Sequence, residues 1–550
     1  MHVQSVLILL CLSKVALTRL RPISQNEHRH PIFRRNQGGA IVKREDTDPT
    51  LLFPAYNLSV PVDHFHNDSM YEPHSDGMFN LRYWFDASHY SPGGPVIVLE
   101  SGETSGEDRL PFLQKGIVAQ LAEATHGVGV ILEHRYYGTS FPTPDLSTEN
   151  LRFLTTDQAL ADTAYFAQNV VFPDLEGHDL TGSKVPWIAY GGSYAGAFVS
   201  FLRVLYPDVF WGAISSSGVT EAIYDYWQYY EPIREYGPPD CIATTQNLTH
   251  AVDNILIGHA NSRLVSQLKN AFSLGNVTYD NDFAYLLSFG ISGWQGRNWD
   301  PAINDPLFSQ YCDNVTSDEI LYPETSSLAS SVRGLLYAAD YGNSSDVLTN
   351  RMLNWIGYVN ATQVTPCAKK NQTQDQCFST HNQTYYDQDD LSQSWRSWPY
   401  QYCTQWGYLQ GGASVPQKQL PLISRTIDIP YLSLICVGAF NITGPPNTEA
   451  INKYGGYNVS YPRLAFIDGE QDPWRIATPH APMVDQSKRT NTASEPFILI
   501  AGAVHHWDEN GLFANETSAH LPPNPVADTQ KLEAQFVQEW MMEAQLHFEL

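Results

Sequence analysis

The sequence predicts an α/β fold in which a mostly parallel sheet is interrupted by a large inserted, mainly helical domain. Between residues 93 and 220, short apolar runs alternate with amphipathic stretches, as in parallel sheets covered by helices on both faces. Residues 221–425 are instead rich in aromatic and polar side chains and lack β-branched runs. Apolar runs then return, so we predict core segments at 45–220 and 426–550 around an insertion at 221–425.

The individual elements follow from periodicity and from flanking Gly and Pro residues. Short β-branched runs, typical of buried parallel strands, occur at 95–99, 127–132, 185–190, 429–435, 463–467 and 496–500. Helical spacing occurs at 112–124, 197–206 and 526–548. In the last of these, one face carries Leu532, Phe536, Val537, Trp540, Met541 and Ala544.

The charge balance limits the possible partners. The chain has 58 acidic and 32 basic side chains and a formal charge of −26. We therefore expect no nucleic-acid partner, because phosphate binding depends on clustered Lys and Arg. An apolar content of 43% predicts a large core. A strongly acidic surface loses charge as carboxylates protonate near pH 4, which suits an acidic medium.

The first residues are typical of a secreted protein. An apolar run at 6–12 is followed by small residues, which predicts a signal peptide at 1–18, although a buried N-terminal strand is the alternative. A basic stretch ending in Lys43-Arg44 predicts a propeptide at 19–44. No later run approaches 18 apolar residues, so we expect no membrane anchor. The expected location is extracellular or an acidic compartment of the secretory pathway.

Cysteines and glycosylation motifs agree with export. Beyond Cys11 in the predicted signal peptide, six cysteines remain, which allows up to three disulfides of undetermined pairing. The sequence also contains Asn-x-Ser/Thr acceptors, which we predict to carry glycan, at Asn57, Asn67, Asn247, Asn276, Asn314, Asn343, Asn360, Asn371, Asn382, Asn441, Asn458 and Asn515.

A candidate nucleophile lies where a predicted strand meets a predicted helix. Gly191-Gly192-Ser193-Tyr194-Ala195-Gly196 places Ser193 on a tight turn that exposes its hydroxyl above the sheet. The small residues around it allow the strand and helix backbones to approach. The pattern departs from the G-x-S-x-G nucleophile elbow only at Ala195. Alone, it also fits a plain Gly-Ser turn.

A serine nucleophile needs a base and an acid, which in such folds follow it in the order acid, then histidine. Asp472 and His505 lie just past two later strands, at the edge where parallel sheets bind ligands. Asp468 and Glu470 remain alternatives for the acid, and His506 for the base.

The negatively charged oxygen formed by attack on a carbonyl needs two backbone N–H donors. We expect one from Tyr194, directly after the nucleophile. The second should come from the loop after an earlier strand, at Gly102-Glu103.

Five ordered motifs resemble the family of prolyl carboxypeptidase and dipeptidyl peptidase II. They are residues 133–138 (EHRYYG), 154–162 (LTTDQALAD), 191–194 (GGSY), 472–474 (DPW) and 505–506 (HH). Residues 221–230 and 471–475 look closest to the secreted fungal acid prolyl endopeptidases. The resemblance implies an α/β-hydrolase core, a helical cap, and a triad that cleaves on the carboxyl side of proline. Matched motif by motif, it assigns Ser193, Asp472 and His505.

The resemblance also suggests a proline pocket. Residues 395–408 resemble a family stretch that lines it, which implies roles for Trp398, Tyr400 and Gln401, with Trp474 beside the acid. Flat aromatic walls suit a rigid pyrrolidine ring, although these side chains also fit an ordinary core. Gln405 replaces the family's Glu and leaves recognition of a substrate terminus in doubt.

We therefore predict a secreted serine peptidase that acts on proline-containing peptides or proteins and is active at acidic pH. His134 and Arg135 are expected to be structural. No metal ion or organic cofactor is called for. An esterase or lipase, and an inactive binding protein on the same core, are the alternatives. Endopeptidase, carboxypeptidase and dipeptidyl modes stay open, as does the oligomeric state.

Overall fold

An eight-stranded sheet forms the centre of the computed structural model, which describes residues 47–260, 262–342 and 346–548. The strands in chain order are β1 (Tyr56–Pro61), β2 (Met78–Asp86), β3 (Val96–Glu100), β4 (Val128–Leu132), β5 (Trp187–Gly192), β6 (Gly212–Ser216), β7 (Ile223–Asp225), β8 (Gly407–Leu409), β9 (Leu464–Gly469) and β10 (Phe497–Ile500). The large sheet has the order β1-β2-β4-β3-β5-β6-β9-β10, while β7 and β8 pair separately. Only the β1–β2 and β2–β4 pairs of the large sheet are antiparallel.

The central strands are buried because their sequences are apolar or small on both faces. Every residue of β3, β4, β5, β6 and β9 is buried, as expected for parallel strands covered on both sides. The strands predicted at 95–99, 127–132, 185–190, 463–467 and 496–500 are all confirmed. β6 was missed because its sequence, Gly-Ala-Ile-Ser-Ser, contains a single β-branched apolar residue.

The helices of the core cover both faces of this sheet. The first five are α1 (Pro49–Leu52), α2 (Leu110–Gln114), α3 (Ile117–Thr125), α4 (Thr156–Asn169) and α5 (Tyr194–Leu205). The helix predicted at 112–124 is broken between α2 and α3, where a Cβ on Gly116 would lie 2.5 Å from the carbonyl oxygen of Glu509. The helix predicted at 197–206 is confirmed as the greater part of α5.

Short helices dominate the insertion. The α-helices between β6 and β9 are α6 (Glu231–Tyr236), α7 (Pro239–Leu256), α8 (Arg263–Ala271), α9 (Asp280–Leu287), α10 (Phe289–Ser292), α11 (Leu307–Val315), α12 (Ala329–Ala338), α13 (Asp346–Val359), α14 (Thr365–Lys369), α15 (Gln374–Phe378), α16 (Gln383–Tyr386), α17 (Ser397–Gln401), α18 (Ile429–Leu432), α19 (Leu434–Phe440) and α20 (Glu449–Asn452). The last three lie beyond residue 425, in the segment that the sequence predicted as core, and we count them with the insertion from here on. The chain returns to the sheet at β9 and ends in α21 (Asn524–Phe548). This is the α/β-hydrolase arrangement that the sequence predicted.

The strand predicted at 429–435 was wrong, because that segment forms α18 and α19. Asp428 caps α18 by accepting a hydrogen bond from the Tyr431 N–H at 2.9 Å, and Pro430 fits the first turn. These two local signals outweigh the β-branched composition. On α21, the predicted apolar face is buried at Phe536, Val537, Trp540 and Ala544, whereas Leu532 is exposed.

Three disulfides stabilise the insertion, as the cysteine count predicted: Cys241–Cys312, Cys367–Cys377 and Cys403–Cys436. Among the described sequon asparagines, none is fully buried. Exposed ones are Asn57, Asn67, Asn276, Asn371, Asn441, Asn458 and Asn515, and half-buried ones are Asn247, Asn314, Asn360 and Asn382. Within the described residues, no helix is both long and apolar enough to cross a bilayer. The predicted signal peptide at 1–18, the predicted propeptide at 19–44 and Asn343 lie outside the described residues.

Candidate active site

Ser193 lies on a sharp turn between β5 and α5. Its φ of +60° and ψ of −124° are unusual for a side-chain-bearing residue, and its N–H donates to the Ser216 carbonyl at 2.9 Å. A Cβ on Gly191 would lie 2.2 Å from the carbonyl oxygen of Ala195, so that position requires glycine. Ala195 itself is accommodated, which explains why the departure from G-x-S-x-G is tolerated.

Asp472 and His505 form a buried pair. The Nδ1–H of His505 donates to Oδ2 of Asp472 at 2.8 Å, and Oδ1 of Asp472 accepts from the Trp474 N–H at 2.9 Å. Asp472 follows β9 and His505 follows β10, so both loops lie at the sheet edge that also holds Ser193. With Nδ1 donating to the carboxylate, neutral His505 presents Nε2 as a base.

The histidine loop reaches back to the nucleophile turn. The backbone N–H of His506 donates to Oγ of Ser217 at 2.9 Å, just past β6. A Cβ on Gly192 would lie 3.3 Å from Cγ of His506. The loop after β10 therefore crosses over β6 and lies against the residue that precedes Ser193.

The alternative acids and the alternative base have other partners. Asp468 accepts from Nδ1 of His480 at 2.7 Å, and Glu470 accepts from the Gly502 N–H at 2.9 Å. Nδ1 of His506 lies 2.9 Å from Oε2 of Glu509. Asp472 is thus the acidic residue of this loop that is bonded to His505.

The loop at Gly102-Glu103, which was predicted to supply the second backbone N–H to the charged oxygen, lies beside the start of α5. Gly102 has a φ of +67°, and a Cβ added to it would lie 3.3 Å from Cβ of Ala195 and 3.8 Å from the Ala195 nitrogen. The loop at Gly102-Glu103 therefore faces the first turn of α5, where the N–H of Tyr194 has no carbonyl partner within the helix. Burial raises the pKa of the Glu103 carboxyl, and the nearby Arg109 partly offsets this.

Two adjacent imidazoles have opposite pKa shifts. Burial lowers the pKa of His505 below 6.5, although the Asp472 carboxylate opposes the shift. Burial also acts to lower the pKa of His506, but the Glu509 carboxylate outweighs it and the pKa is raised. The result favours a neutral His505 beside a His506–Glu509 ion pair.

Aromatic side chains from the insertion cover the site. Trp398 and Trp406 pack edge-on against Tyr194, with ring centroids 5.6 and 5.0 Å away. Trp474 packs against Tyr408 at 5.0 Å and lies 6.4 Å from the ring of His505. Trp406 and Tyr408 fell within the predicted segment 395–408, but sequence reasoning did not single them out.

The other predicted pocket residues have structural contacts. Gln401 is buried and accepts from the Tyr137 hydroxyl at 2.5 Å. Tyr400 packs against Phe440, and it makes no ring contact with Tyr194 or Trp474 in the described part of the chain. The amide oxygen of Gln405 accepts from the N–H of Thr156 at 3.2 Å, so it joins the insertion to the core.

His134 and Arg135 are structural, as expected from the sequence. His134 bonds the Arg135 carbonyl through Nδ1 at 2.7 Å and the Tyr194 hydroxyl through Nε2 at 2.9 Å. Because the carbonyl only accepts, Nδ1 carries the proton of the neutral ring, and Nε2 accepts a hydrogen bond from the Tyr194 hydroxyl. Burial lowers the pKa of His134 to about 4, which keeps the ring neutral. Arg135 is fully buried against Asp162 at 2.5 Å.

Comparison with known proteins identifies the family. The profile of the serine carboxypeptidase S28 family matches residues 61–520. The chain belongs to the S28 family. A probable extracellular serine carboxypeptidase of Arthroderma benhamiae is 52% identical over 96% of this chain and 72% of that protein. The serine protease vicPa of Bipolaris victoriae is 30% identical over 78% of this chain and 81% of that protein.

More distant proteins are also similar. The mouse thymus-specific serine protease is 25% identical, with 84% of each chain covered. Among solved structures, the proline iminopeptidase of Mycobacterium smegmatis has a TM-score of 0.34 and 12% identity, covering 89% of this chain and 100% of that one. The family resemblance seen in the sequence is thus confirmed at the level of the S28 serine-type peptidases.

One segment of the insertion of this S28 peptidase contacts both the loop that carries Asp472 and the loop that carries His505. This segment was not identified from the sequence. We call residues 293–299 the clasp segment. The indole N–H of Trp294 donates to the Gln471 carbonyl, and that of Trp299 to the Trp507 carbonyl, each at 2.8 Å. Oε1 of Gln295 accepts from the Trp474 indole at 2.8 Å. The clasp segment therefore ties the loop after β9, which carries Asp472, to the histidine loop after β10.

We expect Trp299→Phe to reduce kcat about tenfold with little change in KM, because it keeps the ring but removes the bond that positions the histidine loop. Steady-state kinetics on a peptide substrate measure this. Trp187→Phe is the matched control, since its indole bonds the Leu180 carbonyl at 2.8 Å at the far end of β5. Equal kcat values for the two variants would contradict a positioning role.

A cluster of buried carboxyl groups lies beneath the histidine loop. Asp508 accepts from the Tyr190 hydroxyl and, at 2.6 Å, from the Ser216 hydroxyl. Burial raises the pKa of Asp508 to about 6, and burial together with Asp508 raises that of Glu533 well above 4.5. Such groups hold protons in the folded state that the unfolded chain releases, so they stabilise the fold below pH 4.5 and progressively less as pH rises.

Between pH 5 and pH 8, Asp508 and Glu533 should make the melting temperature fall as pH rises, while the lowered pKa values of buried His134 and His505 oppose this slope at its acidic end. Glu533→Gln, which keeps the shape without the ionisable group, should reduce this slope by up to about 1.4 kcal/mol per pH unit in unfolding free energy. Calorimetry across this range measures it. Glu539→Gln, an exposed change on the same helix, is the control. If the Glu533→Gln variant had the same dependence of unfolding free energy on pH as wild type, a raised pKa of Glu533 would be contradicted.

Proposed function

We propose that this S28 peptidase acts outside the cell and removes residues that follow proline at the carboxyl end of peptides. Ser193 attacks the carbonyl of the proline residue, His505 accepts its proton and returns it to the leaving amine, and Asp472 orients His505. The N–H groups of Tyr194 and Glu103 stabilise the charged oxygen. The observation that carries this proposal is the buried Asp472–His505 hydrogen bond at the edge of the sheet that holds Ser193.

Proline preference is supported by the chemistry of the aromatic side chains around the proposed triad. Tyr194 and Trp474, each adjacent to a proposed triad residue, are buried and pack against the aromatic rings of the insertion. Rigid aromatic walls favour a flat, apolar pyrrolidine ring. The carboxypeptidase mode is supported by the family description and by the name of the Arthroderma relative.

Extracellular action is supported by three disulfides and by exposed sequons. Disulfides persist in oxidising compartments, and the sequon asparagines that the structure describes are exposed or half-buried. The same relative is named as extracellular. We propose that these asparagines carry glycan. Neither the esterase nor the inactive alternative has an observation that favours it over the peptidase.

We expect Asp472→Asn to reduce kcat about 10⁴-fold, because the amide no longer holds the productive His505 tautomer, and Ser193→Ala to reduce it at least as much. Asp468→Asn is a close control, since Asp468 forms a similar buried bond to His480 four residues earlier. The Asp468→Asn variant should lower kcat by less than about tenfold. A similar loss in both Asp variants would remove Asp472 from the proposed triad.

The substrate preference is tested with peptides that differ at one residue. A peptide ending in Pro-Xaa should lose Xaa, as seen by mass spectrometry, and its Ala-Xaa counterpart should react at least about tenfold more slowly. Amidation of the carboxyl end should suppress cleavage. Cleavage at internal proline in a peptide blocked at both ends would instead identify an endopeptidase, and equal rates for the two peptides would refute the proline preference.

The lowered pKa of His505 predicts activity at acidic pH. A general base works in its neutral form, so the acid limb of kcat/KM should lie below pH 6.5. Rates at substrate concentrations well below KM, measured between pH 3 and pH 8, report it. An acid limb above pH 6.5 would mean that the Asp472 carboxylate dominates over burial.

A further inference from the structure

The loop between β1 and β2 is closed at its base and fixed at its tip. The Val62 N–H donates to the Gly77 carbonyl at 2.9 Å, which joins the two ends of the loop. At the tip, Tyr71 is buried and its hydroxyl lies 2.8 Å from that of Thr155 on the core. The side chain of Arg152 donates to the Tyr71 carbonyl at 3.2 Å. The backbone of this loop is therefore held at both its base and its tip.

Three potential metal ligands meet at this base. Asp63 and His66 come from the outgoing side of the loop and His74 from the returning side, and one ligand atom of each lies within 4.8 Å of the others. The rings of His66 and His74 stack with centroids 5.5 Å apart. Oδ1 of exposed Asp76 lies 3.9 Å from Nδ1 of His66.

The carboxylate of Asp63 is oriented by the surrounding protein. It is 2% exposed, and its Oδ1 accepts from the Phe65 N–H at 2.9 Å and from Nε2 of Gln158 at 2.7 Å. Oδ2 lies 2.8 Å from Nδ1 of His74. Support of a ligating carboxylate by such outer hydrogen bonds is typical of metal sites.

We propose that Asp63, His66 and His74 bind a zinc ion, and that exposed Asp76, which lies beside His66 but outside this group, moves in as the fourth ligand. Two imidazoles and carboxylate oxygens favour zinc over calcium or magnesium, which prefer oxygen ligands. Ligands of tetrahedral zinc, at 2.0–2.1 Å from the metal, are about 3.3 Å apart. The 2.8 Å between Asp63 and His74 therefore needs to widen by only about half an ångström.

The chemistry of the ligands agrees with this ion. Nδ1 of His74 faces the Asp63 carboxylate, and in the tautomer that carries its proton on Nε2 this Nδ1 would offer its lone pair to the metal. Two carboxylates balance the charge of Zn²⁺. The site precedes β2 at one edge of the sheet, whereas Ser193 follows the central strand β5, so the zinc would stabilise the loop and take no part in peptide hydrolysis.

Calorimetric titration of the metal-free chain with zinc chloride at pH 7 tests the proposal. Wild type should bind one equivalent at this site, and His66→Ala and His74→Gln should each weaken that binding at least about tenfold. His178→Ala and His259→Ala, which change exposed histidines elsewhere, should not. Unchanged peptidase activity in all four variants would show that they are folded, because none touches the proposed triad.

Cobalt substitution gives a second, independent readout. Wild type loaded with Co²⁺ should show the visible absorption of a tetrahedral nitrogen and oxygen site, and this absorption should be lost in the His66→Ala, His74→Gln double variant. The proposal is overturned if wild type binds no zinc at micromolar concentrations. It is equally overturned if the folded double variant binds zinc as tightly as wild type, since zinc would then be held elsewhere.

Discussion

The hydrogen bond between Asp472 and His505 constrains much of the surrounding structure, because a carboxylate removed from water must have its charge compensated. Asp472 is fully buried and receives the imidazole N–H of His505 and the backbone N–H of Trp474. Loss of either donor would leave a buried anion undersatisfied. The two loops must therefore be held in register, although 33 residues separate them in sequence. The strand order supplies the coarse placement, since β9 and β10 are neighbours in the sheet.

The exact positions of the loops that carry Asp472 and His505 depend on contacts with the insertion. The insertion therefore positions these loops as well as covering the site. The clasp segment uses indole N–H groups as donors to backbone carbonyls of both loops. Indole has a single donor in a rigid ring, so each bond fixes a distance and a direction together. Tyr229 also donates to Gln295 at 2.9 Å, which connects the clasp segment to the start of the insertion. Rigid positioning of this kind is what catalysis by orientation requires.

The parts of the fold that local sequence determines were predictable. Buried parallel strands and the turn at Ser193 have strong local signals in β-branched runs and in glycines. β6 was missed and 429–435 was misread because burial by neighbouring strands and capping by Asp428 decide those segments, and composition reports neither. Within the site, Asp468 lies at the end of β9, and Glu470 and Asp472 follow shortly after that strand. Only the orientations of their side chains, which depend on contacts with His480, Gly502 and His505, distinguish them. The tryptophan contacts of the clasp segment join residues about 180 to 210 positions apart, and a single sequence carries no signal of them.

One physical principle accounts for the pKa shifts at this end of the sheet and bears on the proposed activity at acidic pH. Burial favours the neutral form of a titratable group, which lowers the pKa of His505 and raises those of Asp508 and Glu533. Burial also raises the pKa of Glu100, at the end of β3, to about 8. At neutral pH these carboxyl groups would be ionised in water, and burial in an apolar setting makes that form unfavourable in the folded state. At acidic pH they are protonated in both states, and burial carries no such cost. The excess of surface carboxylates acts in the same direction, since their mutual repulsion decreases as they protonate. Exclusion of water from the region around the histidine loop therefore keeps His505 neutral and keeps Asp508 and Glu533 protonated, and these two effects act on stability in opposite directions as pH falls.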